Sequence, residues 1–214
     1  MHRLRIKFGR GAEVKFISHL DIIRLWQRAM RRAGIELAYS EGFNPHPRIS
    51  LAAPLALGVT SQAELMDIYT AGFISQHSFT AYVSRQLPPG IEVIQVHHIA
   101  PTLPSLQAQM RFAEYMVEVE TADEESSLKQ KITSLLAKKE LPWQHQRDTG
   151  PHKYDLRQLI EDLWLENWQD GCALIGMRLR CGSNGSGRPE QVIKALDLSP
   201  PRSIHRTRLI LETS

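Results

Sequence analysis

The first ten residues alternate between apolar and basic side chains. The apolar positions are Leu4, Ile6 and Phe8, and the basic positions are Arg3, Arg5 and Lys7. Successive side chains of a β-strand point to opposite faces, so this period of two predicts a strand with one buried apolar face and one basic face. The basic face is predicted to contact RNA or phosphate.

The next segment has the spacing of an amphipathic helix. Ser18 followed by Asp21 is typical of a helix start, and Gly34 is typical of the residue after a helix end. The apolar side consists of Ile22, Ile23, Trp26, Ala29, Met30 and Ala33, and the opposite side carries Arg24, Arg28, Arg31 and Arg32. This arginine stripe is either a solvated helix face or a second phosphate-binding surface.

The remaining elements of the first half are predicted from similar patterns. They are the strands RISLAAPLALGV, ELMDIYT and IEVIQVHHI and the helix SQHSFTAYVSRQL. The resulting order, β-α-β-β-α-β, is that of ferredoxin-like modules. The connector APTLPSLQAQ contains two prolines and predicts a boundary between domains 1–105 and 106–214.

The second half repeats this order with an insertion. Its elements are the strand FAEYMVEVE, the helices DEESSLKQKITSLLAKKE and RPEQVIKAL, and the final strand RTRLILE. The insertion, around DTGPHKYDLRQLIEDLWLENWQDG, is predicted to include a hairpin closed by Gln169-Asp170-Gly171. The sequence therefore predicts an α+β fold of two tandem ferredoxin-like modules.

Composition restricts the class of protein. The chain has 214 residues, of which 42% are hydrophobic and 23% charged, and it lacks an apolar run long enough to cross a membrane. Cys172 and Cys181 are the only cysteines. We therefore expect a cytoplasmic protein without a metal or other cofactor. The first 32 residues contain nine basic and two acidic side chains, which predicts an anionic partner such as RNA.

The loop YSEGFNPHPRIS, at residues 39–50, combines stiffness with exposed chemistry. Its two prolines favour an extended backbone. We interpret it as a rigid arm that presents Phe43, Asn44, His46 and Arg48 to RNA. An ordinary turn between two elements explains the same composition.

A glycine-rich stretch, CGSNGSGRPEQVIKAL, precedes the last predicted helix. Glycines let a backbone approach a ligand, and the amides of a helix start attract anions. The candidate phosphate-binding residues are Gly182, Ser183, Gly185, Ser186 and Arg188. A plain glycine-rich turn is the alternative interpretation.

Two histidines are candidates for acid–base catalysis. His19 lies at the start of the arginine-bearing helix and His46 in the stiff loop, and an imidazole exchanges protons near neutral pH. Ser18-His19-Asp21 is not a catalytic triad, because neighbouring residues at a helix start point in different directions.

Three stretches together resemble a known family. FISHLDIIRLWQRAMRRAGIELAYSEGFNPHPRISLAAPLALGV, GPHKYDLRQLI and GSNGSGRPEQVI are similar to the radical-SAM-linked family, whose members are fused to, or encoded beside, radical S-adenosylmethionine enzymes. The resemblance implies the free-standing form and a radical SAM enzyme as partner. Two cysteines are too few for the cluster of such an enzyme, so the radical chemistry would belong to the partner.

We expect an accessory protein that binds RNA or presents a substrate to this enzyme in RNA modification, with no catalysis of its own. One alternative is a metal-independent endoribonuclease, because tandem ferredoxin-like modules with a C-terminal glycine loop look like the CRISPR repeat-processing endoribonucleases. The other alternative is a protein-docking module that binds the radical enzyme through the apolar segment LAAPLALGV.

Overall fold

The computed structural model describes residues 1–147, 150–182 and 185–212. The chain divides into two compact units of mixed α+β structure. The first unit consists of Met1–Met110 with Leu211–Ser214, and the second of Arg111–Ile210. The division into domains 1–105 and 106–214 stays a prediction.

The first unit is an antiparallel sheet with two main helices. Its elements are β1 (His2–Arg10), α1 (His19–Arg32), β2 (Ile49–Leu51), β3 (Thr60–Thr70), α2 (Gln76–Ser84), β4 (Ile91–Ile99) and the short α3 (Leu106–Gln109). The strand order is β2-β3-β1-β4. Ile6 of β1 lies opposite Met66 of β3 and Val96 of β4, so β1 is paired along both edges.

The apolar face of β1 packs against α1, as the sequence pattern predicts. Leu4, Ile6 and Phe8 are fully buried, and the Phe8 and Trp26 rings meet edge to face with centroids 5.0 Å apart. The predicted helix ends are confirmed. Ser18 Oγ accepts a hydrogen bond from the Asp21 amide at 3.2 Å, and Gly34 follows the helix with φ +71°.

The basic face of β1 differs from the prediction. Arg3 is 2% exposed, and its Nη2 donates to Asp67 Oδ2 at 2.6 Å, while Arg5 Nε donates to Asp67 Oδ1 at 2.8 Å. Arg3 also donates to the carbonyl oxygens of Leu103 and Pro104, at 2.6 and 2.9 Å. Arg3 and Arg5 therefore bind protein groups, which compete with the RNA contact predicted for them. Lys7 is partly exposed.

The predicted strand RISLAAPLALGV is much shorter in the structure. Only Ile49–Leu51 is extended, because Pro54 has no amide to continue the ladder and Gly58 adopts φ +84°. After this strand, Ala52 and Leu55 turn into the interior of the unit and are buried. Most of the segment LAAPLALGV is therefore buried, and Leu57 is its large apolar side chain that remains exposed.

The second unit contains a longer set of strands. Its elements are β5 (Met110–Glu120), α4 (Glu125–Leu136), β6 (Pro142–Arg147), β7 (Gly150–Asp155), β8 (Ile160–Gln169), β9 (Cys172–Gly182), β10 (Gly185–Ser186), α5 (Pro189–Ala195) and β11 (Ser203–Leu211). Strands β8, β9, β5 and β11 are neighbours in that order, β10 pairs with the end of β9, and β6 and β7 form a separate hairpin.

The core of the second unit is centred on β9. Ile175, Met177 and Leu179 are fully buried, and β9 pairs with β5 on one edge and β8 on the other. Asp170 and Gly171 have φ of 50° and 75°, as a two-residue hairpin turn requires, so the predicted turn between β8 and β9 is confirmed.

We expect Asp67→Asn to destabilise the first unit strongly, by about 3 kcal/mol or more, because it removes the charge between two arginines, one of them fully buried. Glu125→Gln is the matched control, since the Lys129–Glu125 ion pair has the same 2.6 Å distance but lies on the surface. The control should change the free energy of unfolding by about 0.5 kcal/mol or less. Urea unfolding measures both, and equal effects would contradict a structural role for Asp67.

Candidate functional site

The exposed face of α1 carries the four predicted arginines. Arg24, Arg28, Arg31 and Arg32 all lie at the surface. Arg24 forms an exposed ion pair with Asp21 at 3.1 Å, and Arg32 Nη2 donates to the carbonyl oxygen of Gln86 at 2.6 Å. Exposed ion pairs are weak, so Arg24 can exchange its partner for a phosphate at little cost.

Two open grooves flank this face. The first, with a volume of about 450 Å³, runs between α1 and the segment at residues 34–47. The second, with a volume of about 510 Å³, lies between α1 and the segment after α2, where Arg85 joins Arg32 in the lining. Arg28 lines both grooves and therefore lies between them.

The loop predicted as a rigid arm is closed at its base. We define the arm as residues 39–48. The Ser40 amide donates to the His46 carbonyl at 2.9 Å, and the His46 amide donates to Ser40 Oγ at 3.0 Å. The Arg48 amide donates to the Ala38 carbonyl at 2.8 Å. These bonds hold the two sides of the arm together and leave its tip in solvent.

Side chains of the arm fall into two groups. Phe43, Asn44 and His46 are exposed, and Phe43 is the most exposed large apolar residue among those the structure describes. Arg48 instead lies 4.0 Å above the centre of the Tyr69 ring, so its guanidinium anchors the arm to β3. The predicted phosphate contact of Arg48 therefore has a competing structural role.

The two candidate catalytic histidines occupy different surroundings. His19 is partly buried at the start of α1, where burial and the Arg10 guanidinium lower its pKa and the Glu64 carboxylate opposes them. His46 is exposed in the arm. A catalytic role for either histidine stays a prediction.

The glycine-rich stretch forms a hairpin rather than a direct entry into α5. Gly185 pairs with Gly182 across β9 and β10, and the Gly187 amide donates to the Arg180 carbonyl at 2.9 Å. A Cβ on Gly187 would lie 3.0 Å from the Leu159 carbonyl oxygen, so tight packing requires this glycine.

The other candidates in this stretch have varied positions. Ser186 is exposed, Arg188 Nη1 lies 3.3 Å from His145 Nε2, and Ser183 lies outside the described residues. Glu190 places a carboxylate in the first turn of α5, which disfavours an anion there. These contacts support the interpretation as a turn.

Some exposed apolar residues lie outside the predicted RNA site, and one of them, Leu57, belongs to the segment LAAPLALGV that the sequence offers as an alternative docking surface. Phe16, Leu20 and Leu57 are each more than 60% exposed. The Gly58 amide donates to the Lys15 carbonyl at 2.9 Å, so the segment that carries Leu57 lies beside the segment that carries Phe16. Tyr39 of the arm, 58% exposed, and Arg85 were also missed. Tyr39 lies beside the predicted arm residues, and its aromatic ring is the sequence feature that would have indicated it as a stacking residue.

Other kinds of site find no support in the described part of the chain. No group of three or more His, Cys, Asp or Glu side chains there is arranged to hold a metal ion. Among the same residues, no helix is both long and apolar enough to span a membrane.

The lowered pKa of His19 predicts a pH effect on stability. Because the pKa of His19 is lower in the folded chain, the unfolded chain binds this proton more tightly. As the pH drops from the ordinary histidine pKa of about 6.5 towards the folded pKa, protonation favours the unfolded chain, and the free energy of unfolding falls. His19→Gln should reduce this acid-dependent loss, measured by urea unfolding at about pH 7.5 and about pH 5. His46→Gln removes an exposed imidazole as the control. If His19→Gln lost as much stability between these two pH values as the parent does, His19 would not be the source of the acid-dependent loss.

Three solved structures contain a chain with a similar fold. A chain of a Cbf5–Nop10–Gar1 complex aligns with a TM-score of 0.54 at 10% identity, over 96% of this chain and 48% of that chain. A chain of an H/ACA RNP bound to a substrate RNA containing 2′-deoxyuridine, and one of an archaeal box H/ACA sRNP Nop10–Cbf5 complex, each align with a TM-score of 0.50 at 10% identity, over 96% of this chain and 47% of those chains. This chain therefore spans about half the length of these chains, and the likeness is one of fold.

Sequence comparison identifies the family but no activity. No curated protein matches the chain. A family model described as an uncharacterized protein conserved in bacteria, DUF2344, matches residues 3–189, and that description mentions no radical enzyme. Because the match covers most of the sequence, the chain belongs to the DUF2344 family.

Proposed function

We propose that this protein binds RNA through the exposed face of α1 and the adjacent arm. The observation that carries the proposal is the placement of Arg24, Arg28 and Arg31 at the surface beside an arm with exposed aromatic rings. Guanidinium groups bind phosphates, and aromatic rings stack on bases. The arginines of β1 do not contribute, since Asp67 holds them.

The structural neighbours support an association with RNA. One of the similar chains belongs to an H/ACA RNP bound to a substrate RNA, and the likeness covers nearly all of the present chain. Fold alone does not determine function, so this support is weaker than that of the surface itself. The two observations are independent and agree.

We infer that each unit is a ferredoxin-like module. In the first unit, α1 connects β1 to β2, α2 connects β3 to β4, and the strand order is β2-β3-β1-β4. The second unit has the equivalent order β8-β9-β5-β11, with the hairpin β6–β7 inserted between α4 and β8. Repetition of the split βαβ pattern supports tandem modules, the second with an insertion.

We further propose that the protein acts beside a radical SAM enzyme and has no catalysis of its own. The family resemblance of the sequence suggests this partner, and the exposed side chains of Phe16 and Leu57 suggest where the enzyme docks. Apolar side chains that are brought together at a surface are typical of protein contacts. The protein would then hold RNA while the partner modifies it, in the cytoplasm.

Removing arginines from α1 should weaken RNA binding. We expect Arg24→Ala, Arg28→Ala and Arg31→Ala together to lower the affinity for transfer RNA about tenfold or more at low salt. The slope of the logarithm of the binding constant against the logarithm of the salt concentration should fall by roughly one for each phosphate that is no longer neutralised. Filter binding over a salt series measures both quantities. The RNA should be recovered intact.

The matched control removes three charges elsewhere. Lys129, Lys138 and Lys139 lie on the surface in or just after α4, and Lys129 has an exposed ion pair as Arg24 does. Their joint replacement by Ala should leave affinity near that of the parent. Equal reductions in both triple variants would mean that only net charge matters, and binding that is absent at low salt would overturn the RNA proposal.

Polar substitutions at the apolar surface test the protein partner. We expect Phe16→Ser with Leu57→Ser to abolish co-purification of a cluster-bearing enzyme from nuclease-treated cells, because docking would bury both side chains. The α1 triple variant is the control and should retain the enzyme. Recovery of the enzyme only when RNA is intact would contradict a direct protein contact.

A further inference from the structure

We propose that the groove between α1 and the arm binds single-stranded RNA, with unpaired bases stacked on Tyr39 and Phe43 and phosphates bound by Arg28 and Arg31. This inference rests on the proposed function and specifies its substrate. The proposal places the RNA bases at the arm and the RNA backbone at α1.

The groups that would bind phosphates and the groups that would stack on bases lie on opposite sides of the groove. The α1 side contributes Gln27, Arg28 and Arg31, and the opposite side contributes Tyr39 and Pro47. The arginines provide positive charge for the phosphates, and the Gln27 amide both donates and accepts hydrogen bonds, as a base edge requires.

One carboxylate restricts the path of the strand. Glu36 is exposed and also lines this groove. Its charge repels phosphates, so the RNA backbone follows the α1 side, where Arg28 and Arg31 lie. The bases then point towards the arm.

The two aromatic rings have the exposure that base stacking needs. Tyr39 is 58% exposed, and the side chain of Phe43 is fully exposed at the tip of the arm. Water-exposed aromatic surface is unfavourable, and stacking on a base buries it. Every base has a flat face, so this contact requires unpaired bases but little sequence specificity.

The arm is organised before RNA binds. Two hydrogen bonds between Ser40 and His46 close it, and the Arg48 guanidinium lies over Tyr69 of β3. The prolines at positions 45 and 47 restrict the backbone further. Less conformational entropy is therefore lost on binding than in a flexible loop, which raises affinity.

These features favour a single strand over a duplex. Bases in an A-form duplex are stacked on one another, and its major groove is too deep and narrow for side chains to read. The rings of the arm would find no free base face there. A duplex would contact the arginines alone.

The test compares three fluorescent probes: an oligoadenosine of about 12 nucleotides, an abasic strand of equal length, and an RNA duplex of equal length. Fluorescence anisotropy measures affinity. We expect the parent to bind the oligoadenosine at least tenfold more tightly than the other two probes. Tyr39→Leu with Phe43→Leu should remove this preference and leave binding of the abasic strand unchanged.

The matched control replaces another exposed tyrosine and another exposed phenylalanine of the same unit. Phe73 is 68% and Tyr82 is 52% exposed, so Phe73→Leu with Tyr82→Leu should keep the preference for the oligoadenosine. Equal affinity of the parent for oligoadenosine and duplex, or an unchanged preference in Tyr39→Leu with Phe43→Leu, would overturn the single-strand inference. The RNA-binding proposal would survive that result, because it requires only that RNA binds at low salt and that the α1 triple variant weakens this binding.

Discussion

The first unit depends on one buried carboxylate. Asp67 is fully buried in β3, and Arg3 and Arg5 of β1 donate hydrogen bonds to both its oxygens. A charge in this position without partners would cost several kcal/mol, so the two strands are held in one register. Arg3 extends the network to the connector through the carbonyl oxygens of Leu103 and Pro104. The central strand that supports α1 is fixed by this network.

The basic N-terminal segment therefore contains two kinds of arginine. Arg3 and Arg5 satisfy a buried charge, whereas Arg28 and Arg31 lie on the outer face of α1 and line the groove beside the arm. Only the second kind lies fully at the surface, as the proposed phosphate contact requires. α1 packs on the sheet and the arm is closed by its own hydrogen bonds, so this surface has a defined shape, as the proposed stacking site requires.

Local patterns in the sequence predicted most elements, because alternation, helical spacing and capping depend on near neighbours. Ser18 and Gly34 delimit α1, and Asp170-Gly171 closes a hairpin, as predicted. The environment of Arg3 was not predictable, since Asp67 is 64 residues away in the chain. The role of Gly187 depends equally on a distant partner, the carbonyl oxygen of Leu159. A pattern of basic residues therefore indicates an exposed basic surface only where no carboxylate from a distant part of the chain pairs with them.

The position of bound RNA tests the account most directly. A single-stranded RNA containing 4-thiouridine can be photo-crosslinked to the 214-residue protein, and the modified peptides can be identified by mass spectrometry. We predict crosslinks concentrated between Arg24 and Arg48, with Tyr39 and Phe43 foremost. Crosslinks confined to the glycine-rich hairpin, or spread evenly over the exposed lysines and arginines of both units, would contradict this assignment of the RNA to α1 and the arm.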